Sequence, residues 1–381
     1  MANGRRDVLV TGAGVVSALG IGREAFWSAW TEGRIPPVTM PSGPDGLPAP
    51  GPAWTPESAG FRAEALVEEK VLRRVSGLTR LAVPAAALAL SDARIGTASP
   101  RRENAAVTLG TAFGSASYHF EYYEAIFRRG LKEASPLLFS ESVMNAASGH
   151  ISLHEKLRGP SLTVVGGEDV GAAAIATALD QIRAGSVDLA LAGGAEEYCA
   201  MIHRAQAKVG IAARSMNPDD PETGDDRDEG LPYSSGAVLL TLEAVESVRL
   251  EQKQALVRLA GAGRARGARD DLENGEAVAR ATIAAFEDAG PSSCRDLVIL
   301  TGSPDGKREW EGVLRGLPEG LSMARVSAIE CLGEGYGYSS AALALVATQM
   351  VATKAASRVL CVIATRYGGA TALVLDQSPR L

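Results

Sequence analysis

Short, unbroken apolar runs recur along this chain, and helical patterns separate them. The first, DVLVTGAGVV (Asp7–Val16), predicts a strand. Apolar strands without alternation are covered on both faces. A helix is predicted over Arg23–Thr31, with Phe26, Trp27 and Trp30 at helical spacing. Helical patterns resume at Val71–Ala93, Tyr118–Arg129 and Met144–Leu157, with a short strand at Val107–Thr111. Ser161–Val165 (SLTVV) is a strand that runs into Gly166-Gly167-Glu168-Asp169 and then a helix over about Val170–Ala184. That helix is built mostly of Ala, Ile and Leu, and a helix apolar on nearly every face is buried on nearly every face. Strands follow at Val187–Ala192 and Gly236–Leu242, with an acidic loop, Asn217–Gly230, between them.

The order then recurs. Leu256–Ala262 (LVRLAGA) echoes the opening VLVTGAG, and a helix over Gly275–Ala289 follows it. Ser339–Met350 is a second small-residue helix. After it come a strand at Arg358–Thr365, a Gly368-Gly369 pair and a closing strand at Ala372–Leu375. This is an internal duplication. Its physical solution is a layered α/β/α/β/α sandwich of two similar halves, residues 1–250 and 251–381, each placing one buried helix between sheets. Pro36–Pro56 stands apart: it holds eight of the 19 prolines, interleaved with glycine, and predicts a long surface loop or insertion.

Composition narrows the function. With 381 residues and 46% hydrophobic content the chain can bury a large core, which excludes global disorder. Net charge is −7 with no Lys/Arg block, which argues against a nucleic-acid binder. Four cysteines (Cys199, Cys294, Cys331 and Cys361) without a CxxC argue against a disulfide framework or a structural zinc site. No apolar run reaches membrane-spanning length and the N-terminus lacks a signal-peptide pattern, so a reduced, cytoplasmic protein is expected. The glycine turn TGAGVVSALG (11–20) fails as a dinucleotide fingerprint, because Ser17 stands where the third glycine belongs and no helix starts there. A tight turn joining two strands is the expectation.

DVLVTGAGVVSALGIGREAFWSAW resembles the opening of a β-ketoacyl synthase, the condensing enzyme of fatty-acid and polyketide assembly. The resemblance continues in order through LTRLAVPAAALALSDA (78–93), GTAFGSA (110–116), SPLLFSESVMNAASGHISLHEKLRGPSLTVV (135–165), IRAGSVDLALAGGAEE (182–197), DDRDEG (225–230) and RYGGATALVL (366–375). It implies the thiolase-like fold, which is the duplicated five-layer sandwich argued above. It also implies a cysteine nucleophile where strand meets buried helix, with two histidines and a lysine supporting decarboxylation of the malonyl extender. In this chain Glu168 occupies the cysteine position, Thr301 the first histidine and Glu330 the lysine. Gly335 falls at the second histidine, or Glu334 if the register slips by one. The four histidines of the chain lie elsewhere. A carboxylate suits a helix N-terminus and cannot serve as a thiolate nucleophile. Glu168 is therefore open to three readings: a helix cap, an acid or base, or a subunit contact.

Loss of all four positions resembles the chain length factor of type II polyketide synthases, although that family typically has glutamine at the cysteine position. The resemblance implies a subunit that performs no condensation and pairs with a catalytic ketosynthase. Such a subunit needs no cofactor or metal and shapes the tunnel for a chain carried on the phosphopantetheine of an acyl carrier protein. By the same resemblance Phe113, Ala116, Tyr118 and Phe120 are expected to line the tunnel floor, with Tyr367 next in line and Ser161–Val165 as the pairing edge. The competing class is a self-standing priming decarboxylase or acyltransferase using another nucleophile. Such a decarboxylase would keep the histidine pair, so Thr301 and Gly335 argue against it.

Overall fold

The computed structural model describes residues 6–41, 49–211, 231–248, 257–267, 275–292, 294, 296–302 and 306–377. The first half contributes β1 (Val8–Ser17), β2 (Ala106–Thr111), β3 (Ser161–Val165), β4 (Leu189–Glu196) and β5 (Gly236–Ala244). They lie in the order β3-β2-β4-β5-β1, with β2 parallel to β3 and β4 and the remaining pairs antiparallel. The second half contributes β6 (Val257–Arg266), β7 (Asp296–Thr301), β8 (Ser322–Ser327), β9 (Arg358–Ala364) and β10 (Gly369–Gln377). Their order, β8-β7-β9-β10-β6, and their directions repeat the first half strand for strand. The two halves join where Leu9 and Val10 of β1 pair with Arg258 and Val257 of β6. The expected boundary at residue 250 lies outside the described residues, as does the acidic loop with its DDRDEG block.

The central helices are α6 (Val170–Arg183) and α10 (Tyr336–Ala352); both touch strands of both halves. Apart from Met350 and Ala352, every residue of α10 is buried. The outer layers are α2 (Gly77–Asp92) and α5 (Ala146–Glu155) on the first half, and α8 (Glu276–Ala289) and α9 (Gly306–Gly316) on the second. Among the described residues, four further helices of seven residues or more are α1 (Arg23–Thr31), α3 (Ala116–Arg129), α4 (Pro136–Ser142) and α7 (Ala200–Lys208).

The repeated glycines have a packing cause. A Cβ on Gly14 would lie 1.8 Å from the carbonyl oxygen of Ala85 in α2, and one on Gly263 would lie 2.0 Å from that of Ala281 in α8. Each outer helix rests directly on the strand backbone, so both strands need glycine at the same place. The tight turn expected within residues 11–20 falls at Ala18-Leu19, joining β1 to Gly20–Ile21, while Gly12 and Gly14 are inside β1. The predicted helix over 71–93 is also divided. Arg74 has a φ of 62°, and the Ser76 side chain accepts from the Thr79 N–H to start α2 afresh. The proline-rich stretch is exposed at Val38 and Met40, yet Ala53–Trp54 is a buried strand paired with Tyr233–Ser234. It is thus partly built into the fold.

The sheet ends at β3 on one side and β8 on the other, each paired along one edge only among the described residues. β3 exposes Leu162 and Val165. β8 exposes Ser322, Met323, Ala324 and Arg325, with the Arg325 guanidinium 5.0 Å from the Trp310 ring.

Candidate functional site

Both central helices begin where glycines let backbones touch. A Cβ on Gly171 would lie 2.1 Å from the Gly337 carbonyl oxygen, and one on Gly194 would lie 1.9 Å from it. This brings the segment before α6 against the segment before α10. Each supplies a buried glutamate: Glu168 is 5% exposed and Glu334 2%. Arg366, from the turn between β9 and β10, lies between them. Its Nη1 donates to Glu168 Oε1 at 2.7 Å and its Nη2 to Glu334 Oε2 at 2.7 Å. Glu168 Oε2 is buried without a hydrogen-bond partner. The Glu334 carboxylate also accepts from the Tyr336 backbone N–H. Burial pushes the Glu334 carboxyl up to about 7, against the pull of Arg366.

The cavity beside this triad is lined by Glu168, Gly302, Leu332, Glu334, Tyr336 and Leu343, among others, and measures about 10 Å³. A space of about 10–15 Å³ holds one water, so no acyl group fits there. The chemistry available is equally narrow. Both terminal nitrogens of Arg366 are engaged by carboxylates, and none of the residues lining the cavity is a cysteine or histidine.

The residues singled out in the sequence fall in different places. Glu168 is at the centre but does not cap α6; the N-cap residue is Asp169, and no side chain caps there. Thr301 is buried at the end of β7, and its neighbour Gly302 lines the cavity. Glu330 sits on a short helical turn, Ile329–Leu332, with its side chain exposed. Gly335 has no room for a side chain, because a Cβ would lie 2.7 Å from Ser339 Oγ and from the Tyr338 ring. Glu334 is therefore the residue that faces Glu168. Cys331 is half-buried, and burial raises its thiol pKa. Phe113 is half-buried with its ring edge-on to Tyr336 at 4.9 Å. Ala116 is buried at the start of α3, and the Tyr118 hydroxyl donates to the Val75 carbonyl at 3.1 Å. Phe120 is half-buried, and Tyr367 is 68% exposed on the rim of an open cavity of about 350 Å³.

Arg366 was not singled out from sequence. The available signal was a basic residue directly before Tyr367, in a chain where the sequence put acidic residues at two of the expected catalytic positions. Buried carboxylates need a cation.

A second pair of buried carboxylates organises the surrounding turns. Glu196 accepts from the backbone N–H groups of Ala112 at 2.9 Å and Phe113 at 3.0 Å, and from the Thr111 hydroxyl at 3.0 Å. It also accepts from the Gly337 N–H, while burial pushes its carboxyl up to about 7. Glu197 accepts from Leu78 N–H at 2.8 Å and Ser117 N–H at 2.7 Å, and so ties the first turns of α2 and α3 together. Glu197→Gln would set an amide NH₂ against one of these donors. Thermal denaturation is expected to show a loss of about 1–3 kcal/mol, the cost of one buried unsatisfied N–H.

The model for the N-terminal domain of β-ketoacyl synthases matches residues 5–247. The chain belongs to the β-ketoacyl synthase family. It is 28% identical over 269 residues to the 3-oxoacyl-[acyl-carrier-protein] synthase 2 of Rhizobium meliloti (strain 1021), covering 68% of this chain and 64% of that enzyme. It is 29% identical over 308 residues to nodulation protein E of Rhizobium sp. (strain N33), covering 75% of this chain and 70% of that protein. The ishigamide ketosynthase/chain length factor structure matches with a TM-score of 0.81 at 22% identity, over 98% of this chain and 100% of the matched one. A β-ketoacyl synthase from Burkholderia phymatum STM815 matches with a TM-score of 0.82 at 20% identity, over 98% and 100%. At such identities the structures establish the fold, which is thiolase-like.

Proposed function

We propose that this chain is the non-catalytic, chain length factor-type subunit of a ketosynthase pair. The observation that carries this reading is the Glu168–Arg366–Glu334 triad. Decarboxylative condensation needs a thiolate to take the acyl chain and donors to polarise the thioester carbonyl. Here a salt-bridged carboxylate stands at the position assigned to the thiolate, both terminal nitrogens of the guanidinium are engaged by carboxylates, and the cavity holds about one water. A self-standing decarboxylase or acyltransferase would need an open pocket at this point, so the closed cavity weighs against it.

The surface supports a partner. Phe127 is 83% exposed, Leu131 80%, Leu153 79% and Phe139 57%, and rings touch from Tyr123 to Phe127 and from Tyr122 to Phe139. Clustered apolar exposure of this kind marks interaction sites. Together with the open edge of β3 it fits a catalytic ketosynthase. The likeness to the ketosynthase/chain length factor folds points the same way. The acyl carrier protein would deliver the growing chain to the partner's thiolate. This chain would wall the tunnel with Phe113, Ala116, Tyr118 and Phe120, and with Tyr367 if the tunnel runs that far. No helix of the described residues is long and apolar enough to cross a membrane, and the four cysteines are unpaired. We place the complex in the cytoplasm.

The test has two arms. Incubated alone with malonyl- or acyl-carrier protein, the chain is expected to show no covalent acylation by intact-mass spectrometry. Mixed with its cognate ketosynthase, it is expected to form a one-to-one complex whose products shorten when Ala116 is changed to Trp, because a closed apolar tunnel accepts only the methylenes that fit. An acylated residue on the isolated chain would sink the reading.

A further inference from the structure

Tyr336 is a backbone outlier. Its φ is 43°, a left-handed value at the first residue of α10, and its side chain is large and 6% exposed. Non-glycine residues held this way are strained and persist only where the surroundings over-determine them. The surroundings here do so from three sides. The Glu334 carboxylate accepts the Tyr336 N–H while Arg366 holds its other side, and Glu168 anchors the far end of Arg366. The Tyr336 hydroxyl accepts from Gln206 Nε2 at 3.0 Å. Its ring meets that of Phe113 at 4.9 Å and 75°, an edge-on contact.

The Phe113 side is fastened as firmly. Glu196 accepts the N–H groups of Ala112 and Phe113, and it accepts the N–H of Gly337, the residue after Tyr336. The two aromatic residues are therefore registered to each other through one carboxylate behind the backbone and one ring contact in front. Phe113 opens the segment that enters α3, and α3 carries the exposed Tyr123 and Phe127.

We infer that the Glu168–Arg366–Glu334 triad has become a positioning device, in which Tyr336 sets Phe113 and thereby the entry to the partner-facing helix α3. Tyr336 and Glu334 are positioning residues for the chain-length step. The part of this inference that concerns product length rests on the function proposed above.

The experiment compares Tyr336→Leu with Tyr336→Phe in the full chain. Hydrogen exchange of the purified chain reads the positioning directly. Amides of residues 112–117 are expected to exchange at least about tenfold faster in Tyr336→Leu and to stay near wild type in Tyr336→Phe, which keeps the ring. Unchanged exchange in the leucine variant, or equal acceleration in both, overturns the role of the ring. Phe113→Leu approaches the contact from its other side and is expected to give the same acceleration without touching α10. Product analysis of the complex with ketosynthase and carrier protein reads the consequence. Tyr336→Leu is expected to broaden the chain-length distribution, and Tyr336→Phe is expected to preserve it. If Tyr336→Leu leaves products unchanged while Ala116→Trp shortens them, the inference fails and the tunnel reading stands. If no ketosynthase pairs with the wild-type chain, the tunnel reading fails, and the exchange data still decide whether Tyr336 sets Phe113.

Discussion

Arg366→Met is expected to destabilise the protein by about 3–5 kcal/mol, the cost of leaving a buried charge without its partner. Two carboxylates, 5% and 2% exposed, share this one guanidinium. The loss should depend on pH in a defined direction. Glu334 in the folded protein holds its proton up to about 7, above its ordinary range, because of burial. An acid with a raised folded pKa contributes stability below its unfolded pKa, and that contribution is lost as pH rises through the folded value. Removing Arg366 takes away the pull that keeps this pKa from climbing further. The gap between variant and wild type should therefore be wider at pH 8 than near pH 5.5. Replacing the whole triad, with Glu168→Leu and Glu334→Leu added to Arg366→Met, is expected to recover most of the loss, since apolar groups of similar volume replace buried ion triads at little cost. Denaturation followed at both pH values checks each point. A single variant as stable as wild type would show that the carboxylates reach water or are already neutral.

Val165→Asp is expected to weaken pairing with the ketosynthase by about 30-fold or more, equivalent to about 2 kcal/mol or more for a charge buried in an apolar interface centre. Val165 is 55% exposed at the end of β3, so the isolated chain should fold with its stability little changed. Isothermal titration or analytical ultracentrifugation against the partner gives the number. Met323→Asp on the opposite edge strand β8 is the control and should leave pairing intact. Equal loss at both edges would place the partner elsewhere.

The fold was largely legible because its signals are local. Uninterrupted small apolar residues announced the central helices, and the echo of VLVTGAG in LVRLAGA (256–262) announced the duplication, one residue out of the register that the structure shows. The structure gives that echo its cause in the two outer helices that rest on Gly14 and Gly263. The site was legible only in part. Glu168 could be placed by its distance from neighbouring glycines, but its partner is 198 residues away. No periodicity reports a contact of that kind. The choice between Gly335 and Glu334 likewise turned on whether a Cβ fits against Ser339 and Tyr338, which is a matter of packing. Glu196 and Glu197 passed as ordinary acidic residues, because burial of a charge is invisible until the backbone donors around it are known.

A duplicated fold has two equivalent edges, and here they differ: β3 exposes Leu162 and Val165 without a charge, whereas β8 exposes Met323 and Ala324 beside serines and an arginine resting on Trp310. Were both edges adhesive, each subunit could recruit one neighbour at either end, and assembly would run on as an open filament. With the β8 edge blunted by a charged arginine, association on the other closes after a single step. The broken likeness between the halves thus works as a chain terminator for assembly, and it keeps the proposed pair a pair.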